Sequence, residues 1–405
     1  MAESFAYRVR TKEGRVVEGR MEADGEGAVA SRLRSQGMVP IQISKEAKVN
    51  MKTELHLLPQ KVGLKDLAVF SRQFSTMINS GLSLLRTLNI LSEQTENPLL
   101  AKTIGTLRED VERGSSLSAS MSKHPKVFNN LYVAMVRAGE TGGQLDVVLS
   151  RVADNFEADY KLRQKVKSAM TYPVVVAGIA VLLLTVMLIF IVPTFAGMFT
   201  SLGGELPLPT KILMAMSQKA KIFIPLLFVT AIVARITYKR LRVSSDDFKL
   251  RTDKLKLKVP IFGLLFQKVA VSRFTRTLGL LLRAGVPVLH ALDIVSDSTG
   301  NEVLARAARD VKESVRSGES MSAPLAKNEV FPPMVVQMIA VGEDTGALDA
   351  MLDKISDFYD QEVEATTEAL TSLIEPLMIA VLGGIVGSMV IALYMPMFKI
   401  FDLIE

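Results

Sequence analysis

The side chains that could carry chemistry are sparse and scattered. The chain has no cysteine, which excludes disulfides, thiolate metal sites and cysteine nucleophiles. Its three histidines, His56, His124 and His290, stand far apart, and none has a second ligand at helical spacing. The acidic groups Glu109, Asp110 and Glu112, and again Glu362, Glu364 and Glu368, fall on polar helix faces where a solvated charge is the ordinary state. No G-x-x-x-x-G-K-[ST] loop is present to cradle a phosphate. The dense glycine clusters, Gly139 to Gly143 and Gly203-Gly204, are followed by neither the lysine nor the hydroxyl such a loop needs. What remains is a pair of turns, Gly139-Glu140 and Gly342-Glu343, each at the end of an apolar helical run. There a glycine can take the left-handed conformation that closes a helix. The carboxylate can accept hydrogen bonds from N–H groups at the start of the next helix, or face a partner. That is positioning and binding chemistry without cofactor or metal, and the chain reads as a non-enzyme.

The elements that carry these turns include membrane spans. Mean hydropathy is +0.28 over 405 residues, high for a water-soluble protein. Between Lys167 and Glu205 lie 37 uncharged residues, enough to cross a hydrocarbon core of about 30 Å as a helix. A second uncharged run extends from Pro376 to Phe398, with Gly383, Gly384, Gly387 and Ser388 able to seat a close helix neighbour. A third, Ile222 to Ala234, is uncharged for 13 residues and reaches bilayer length if Lys221 and Arg235 snorkel outward. Lys161, Arg163, Lys165 and Lys167 precede the first run, while Tyr172 to Thr210 holds no Lys or Arg; Arg235, Lys239, Arg240 and Arg242 follow the short run. Both basic clusters belong inside, which requires the chain to cross and return. The formal charge of +6 is thus accounted for by span flanks rather than by a nucleic-acid surface.

The sequence also repeats itself. Leu67, Phe70, Phe74, Met77 and Ile78, a break at Gly81, then Leu84, Leu85, Leu88 and Leu91 recur 204 residues later as Val271, Phe274, Leu278, Leu281, Leu282, Gly285, Val288, Leu289, Leu292 and Val295. Gly114 and Ser116 match Gly318 and Ser320. At an offset of 203, Val127 to Asp154 and Val330 to Asp357 share 11 identities in 28 positions. Pro173 and Pro376 enter spans; Pro193 and Pro396 leave them. Strand alternation is confined to the first 45 residues, where FAYRVR and VVEGRMEA flank Lys12-Glu13-Gly14 and are followed by a helix near Gly25 to Gln36, a stop at Gly37 and VPIQI.

The expected fold is an all-α membrane protein with two duplicated cytoplasmic antiparallel helical bundles, three transmembrane helices and a small N-terminal β-β-α-β module. The expected segments are the module at 1–45, a linker at 46–62, the first bundle at 63–171 and a span at 172–198. An external loop at 199–219 leads to a span at 220–238, then the second bundle at 239–372, a span at 373–398 and an external tail at 399–405. The first span serves for insertion, with no cleaved secretory signal ahead of it. The four prolines read either as hinges or, for Pro173 and Pro376, as tolerated first-turn residues.

These residues resemble the inner-membrane platform proteins of type IV pilus assembly and type II secretion, the type II secretion system F-protein family. The likeness covers nearly the whole chain. It rests on Gly-Glu-x-x-Gly-x-Leu, present as Gly139-Glu140-Thr-Gly-Gly143-Gln-Leu145 and as Gly342-Glu343-Asp-Thr-Gly346-Ala-Leu348, and on Tyr172-Pro173 and Glu375-Pro376 at the span entrances. GRVVEGRMEA with LRSQGMVPIQI looks like the family's leading module, and IVPTFAGMFTSLGGELPLPT with ALYMPMF looks more like the pilus branch than the secretion branch. The copies differ between Glu and Gly, Thr-Gly in one and Asp-Thr in the other, so that pair need not act alike in both.

The resemblance implies a non-enzymatic platform in the bacterial inner membrane that couples cytoplasmic hexameric ATPases, for extension and possibly retraction, to pilins drawn from the membrane. It also implies homo-oligomers, other inner-membrane assembly proteins and lipid as partners, and no nucleic acid. Gly139, Glu140, Gly143, Leu145, Gly342, Glu343, Gly346 and Leu348 are the candidate docking residues. The secretion platform is the first alternative. A transporter built from the duplicated unit is the second, opposed by the lack of charge inside the two long spans.

Overall fold

The computed structural model describes residues 3–10, 16–35, 37–45, 61–201, 207–260 and 262–404. They fall into two compact units, Met1–Lys61 and Val62–Glu405. In the first, β1 (Glu3–Arg10) lies between β2 (Val16–Ala23) and β3 (Val39–Lys45), antiparallel to both, and α1 (Glu26–Ser35) follows β2. Phe5 and Val9 point to one face of β1 by the period of two and bury against Val29 and Leu33 of α1. Pro40, which has no N–H to give, sits on β3, an edge strand. The expected module is therefore present; its turn at Lys12-Glu13-Gly14 and most of the linker, 46–60, lie outside the described residues.

In the second unit the first bundle comprises α2 (Leu64–Asn79), α3 (Leu84–Gln94), α4 (Pro98–Glu112), α5 (Leu117–Ser122), α6 (Asn130–Gly142) and the start of α7 (Leu145–Val186). After a π-helical turn at Met187–Ile191, α8 (Val192–Ser201) continues that helix. Then come α9 (Leu208–Ser244), α10 (Asp246–Lys258), α11 (Phe262–Arg283), α12 (Val288–Ser298), α13 (Glu302–Arg316), α14 (Ser322–Ala326), α15 (Pro333–Thr345) and α16 (Leu348–Ile404). Helices α11 to α16 repeat α2 to α7, and α10 precedes them in the second copy. Its buried Asp253 binds Arg242 and Lys256 and accepts the Glu302 N–H at 3.0 Å, which fastens the end of α9 to α13.

The two cores repeat in detail. Phe70 meets Phe128 at 5.9 Å between ring centroids, and their counterparts Phe274 and Phe331 meet edge to face at 5.1 Å. Arg72 on α2 holds Glu157 on α7 through two N–H bonds of 2.7 and 2.9 Å, and Arg276 on α11 holds Asp360 on α16. One difference is compensated. The buried Tyr132 phenol, whose burial pushes its pKa up, bonds the Ser71 hydroxyl at 3.2 Å. Val335 and Thr275 stand at those two places in the second copy, where Thr275 turns its hydroxyl to the Val271 carbonyl instead.

The bundles join where α7 meets α16, around buried Leu162, Leu265, Val363 and Leu370, with Arg273 bonded to Asp159 at 2.5 Å. Among the described residues three helices are long and apolar enough to cross a membrane, within Leu145–Met198, Ile222–Ser244 and Leu348–Met395. No break separates bundle from span in either copy. α7 and α16 run through the expected boundaries at 171 and 372, so Pro173, buried, and Pro376, exposed, lie deep inside helices. Neither is a first-turn proline. Most of the expected external loop is also helical, in the end of α8 and in the start of α9, whose first turn Pro207 and Pro209 preset, and α16 carries through the expected tail to Ile404.

The other two prolines leave their mark on the hydrogen-bond ladder. Ahead of Pro193 the ladder widens, with the Val192 N–H reaching the Met187 carbonyl, as in the π-turns that absorb a missing donor. Pro396 has no N–H for the carbonyl of Ala392, four residues back, and the buried Thr210 hydroxyl of α9 donates to that oxygen at 2.6 Å. Thr210→Val should leave the carbonyl without a donor, cost about 1–3 kcal/mol and lower the thermal midpoint of the detergent-solubilised protein, while Thr210→Ser should not. Equal midpoints for both variants would remove this role.

Candidate functional site

Each Gly-Glu turn is an αα corner. Helix α6 starts under the cap of Asn129, whose Oδ1 accepts the Tyr132 N–H at 3.0 Å, and α15 starts with Pro333 at its first turn. Both run past the first glycine of the motif. The expectation that Gly139 and Gly342 close their helices is therefore corrected. The helices end at Gly142 and Thr345, and the left-handed residues that close them are Gly143 (φ +65°) and Gly346 (φ +70°). Gly139 and Gly342 are buried and helical, and they serve close packing. A Cβ on Gly139 would lie 3.0 Å from Val148 Cβ and 3.2 Å from Leu145 Cα; one on Gly342 would lie 3.0 Å from Leu348 Cα. Hydrogen at these positions lets α7 and α16 fold back tightly on α6 and α15, with Leu145 and Leu348 as the first residues of the returning helices.

The glutamates look backward along the chain. Glu140 Oε1 accepts the Leu117 N–H at 2.5 Å, and Oε2 accepts the Ser118 N–H at 3.1 Å and the Ser118 hydroxyl at 2.5 Å. In the second copy both carboxylate oxygens of Glu343 accept the Met321 N–H, at 2.8 and 3.0 Å. The donors thus open the preceding short helices α5 and α14, not α7 and α16 as expected. The physical reason is the direction of the corner: one residue after the glycine, the side chain points across the bundle rather than toward the turn. A carboxylate at a helix N-terminus meets unpaired N–H groups and the positive end of the helix dipole.

Helices of six and five residues have little stability of their own, so they depend on such anchors. Ser116 Oγ accepts the Ala119 N–H at 3.2 Å and Ser320 Oγ accepts the Ala323 N–H at 3.3 Å. Asp110, expected on a solvated face, is buried and bonds Lys123 at 2.7 Å just beyond α5. The Lys123 ammonium holds the Asp110 carboxyl below the usual carboxylate range. That contribution is present above the ordinary range and is lost as pH falls through the depressed value. Of these partners, the Ser116/Ser320 repeat is visible in the sequence without a role; its place 24 and 23 residues ahead of the repeated glutamates is the available signal.

The structure brings the eight motif residues together as two separate corners, one per bundle. Thr141 to Gln144 and Asp344 to Gly346 are exposed at their tips. Of the prolines, only Pro193 adjoins a change in helical pitch, and nothing is described of the Pro396 side chain. Among the described residues no group of three His, Asp or Glu is placed to hold a metal ion. His124 and His290 lie on different bundles, and His56 is outside the described residues.

The chain matches the family model for type II secretion system (T2SS) protein F twice, over residues 70–193 and 274–396, and the model for the N-terminal domain of that protein over residues 1–44. The two main matches reproduce the internal duplication. The chain is 41% identical over 403 residues to type IV pilus assembly protein PilC of Myxococcus xanthus, covering 99% of this chain and 96% of that one. It is 43% identical over 398 residues to PilC of Thermus thermophilus, covering 98% of each. Type II secretion system protein F of Vibrio cholerae is 31% identical over 404 residues, covering 99% of each.

Gly139→Ala and Gly342→Ala should each cost about 1–3 kcal/mol by overpacking against α7 or α16. Glu140→Gln should cost roughly 1–3 kcal/mol and Glu343→Gln less, because Glu140 holds two N–H groups and a hydroxyl where Glu343 holds one N–H. Thermal midpoints of the full-length variants in detergent measure the order, and an Ala substitution tolerated at both glycines would contradict the packing role.

Proposed function

Because the chain belongs to the type II secretion system protein F family, we propose that it is the inner-membrane platform of a type IV pilus assembly machine, coupling cytoplasmic hexameric ATPases to the extraction and polymerisation of pilins. The observation that carries this reading is helical continuity. α7 and α16 each begin at a Gly-Glu corner inside a bundle and continue without interruption into an apolar span, so a displacement of the bundle is delivered to the membrane along one continuous helix. The basic flanks Lys161 to Lys167 and Lys239 to Arg242 favour both bundles on the cytoplasmic side, where an ATPase can reach them.

In this reading the platform performs no catalysis. The exposed tips of the two corners, with Gly139, Glu140, Gly143 and Leu145 shaping one and Gly342, Glu343, Gly346 and Leu348 the other, form the docking surface. The carboxylates serve it indirectly, by fixing α5 and α14 beside the tips. Pro193 and Pro396, where the backbone ladder lacks a donor, are the places at which the span ends can bend under load, and Pro173 and Pro376 are where α7 and α16 can flex on entering the bilayer. The same architecture suits a secretion platform, since a relative named type II secretion system protein F is 31% identical along 99% of its length.

Thr141→Lys and Asp344→Lys, introduced together in the full chain, should weaken binding of the cognate ATPase at least tenfold in a pull-down from detergent while the melting midpoint is unchanged. Undiminished ATPase binding would remove the corners as the docking surface.

A further inference from the structure

The duplication displays one contact twice, filled once. On the first bundle α5 and α6 form a groove with Phe128, Val133, Ala134 and Arg137 on its walls, and α12 of the second bundle lies across it with His290, Asp293, Ile294 and Asp297. Asn130 Nδ2 donates to Asp297 Oδ2 at 3.0 Å, and Ile294 is only 4% exposed. The matching groove on the second bundle, between α14 and α15, carries Phe331, Val336, Gln337 and Ala340 in the corresponding places and is lined by its own bundle alone. The duplicate of α12 is α3. Its Ile90, in the place of Ile294, is half-exposed, flanked by exposed Arg86 and Glu93 and by Leu85 at 40%.

The contact between bundles is therefore heterologous: a ridge of the second copy faces a groove of the first and is tied to it by the Asn130–Asp297 hydrogen bond. Among the described residues one groove on the second copy and one ridge on the first stay uncovered. We propose that α3 of one protomer seats in the α14–α15 groove of a second copy of this chain, as α12 seats in the α5–α6 groove of its own.

The chemistry of the uncovered pair agrees with such a match. Ala340 replaces the cation Arg137 in the groove and Asn89 replaces the carboxylate Asp293 on the ridge, while Arg86 stands in the place of His290, so the groove wall is neutral and the ridge keeps Arg86 and Glu93 at its edges. Glu93 is already held by the Asn89 amide at 2.9 Å, leaving Ile90 and Leu85 to meet Val336, Ala340 and Ala326. A heterologous contact can be repeated by each further copy. Where all copies lie in one membrane, repetition turns about the membrane normal and leads to a ring. The inference depends on the duplicated bundles and stands apart from the pilus role.

The chain lacks cysteine, which makes cross-linking direct. Two differently tagged full-length chains, Ile90→Cys and Val336→Cys, are expressed together and oxidised in membranes. A disulfide-linked dimer carrying both tags is expected at no less than ten times the yield of Ile90→Cys with Val133→Cys, whose groove is already occupied. A chain bearing both substitutions should give a ladder of multimers. Mixed dimers no more abundant than the control, or Ile90→Cys linking only to itself, would overturn the proposal. Independently, Ile90→Asp should reduce the mass in detergent to that of one chain at an unchanged melting midpoint; a persisting oligomer would overturn it as well.

Discussion

Backbone contact at two buried glycines governs this architecture. Only a hydrogen on the α-carbon of Gly139 allows Leu145 and Val148 to approach as they do, and Gly342 stands in the same relation to Leu348 and Met351. From that approach the rest follows in order. The corner is tight, so α7 and α16 return along α6 and α15 and lie against α2 and α11, where Arg72 and Arg276 tie them down. The returning helices then have their direction fixed before they reach the membrane. The same corner turns the next residue, Glu140 or Glu343, across the bundle to the start of a short helix that has too few residues to stand alone. Sequence, corner, anchor and span are thus consequences of one steric condition met twice.

Comparison of the two copies separates what the fold needs from what each copy adds. The aromatic contact between α2 and the turn before α6 recurs between α11 and the turn before α15, and so do the ion pairs within each bundle and the serine caps. The polar pair Ser71 and Tyr132 appears once, and where the tyrosine is replaced by Val335 no buried hydroxyl is left in want of it. The second copy also carries α10, whose buried Asp253 compensates two cations and a backbone amide at the point where α9 leaves the apolar region. An isolated buried carboxylate there would be costly, and its three partners remove that cost.

Much of this was legible in the sequence because it depends on period and composition. The spans announced themselves through uncharged length, the β-β-α-β module through alternation, and the duplication through glycines repeated at an offset of 204 and then 203. Helix ends were less legible. A glycine before a polar residue signals a stop or a close contact with equal force, and only the position of Val148 or Met351 decides between them. The partners of Glu140 lie 22 and 23 residues upstream, a separation at which spacing carries no directional information. Asp110 was misread for a similar reason. Its helix face is polar by pattern, yet it is buried in the fold and paired with Lys123, which arrives from a later element.

Amide hydrogen exchange at the start of the short helices tests the central claim most directly, namely that the Gly-Glu corner holds α5 and α14 through a carboxylate. In Glu140→Gln the amides of Leu117 and Ser118 should exchange at least tenfold faster, and in Glu343→Gln that of Met321, while amides in the middle of α6 and α15 keep their protection. Unchanged exchange at those three amides, or a uniform loss of protection through the whole bundle, would contradict the account.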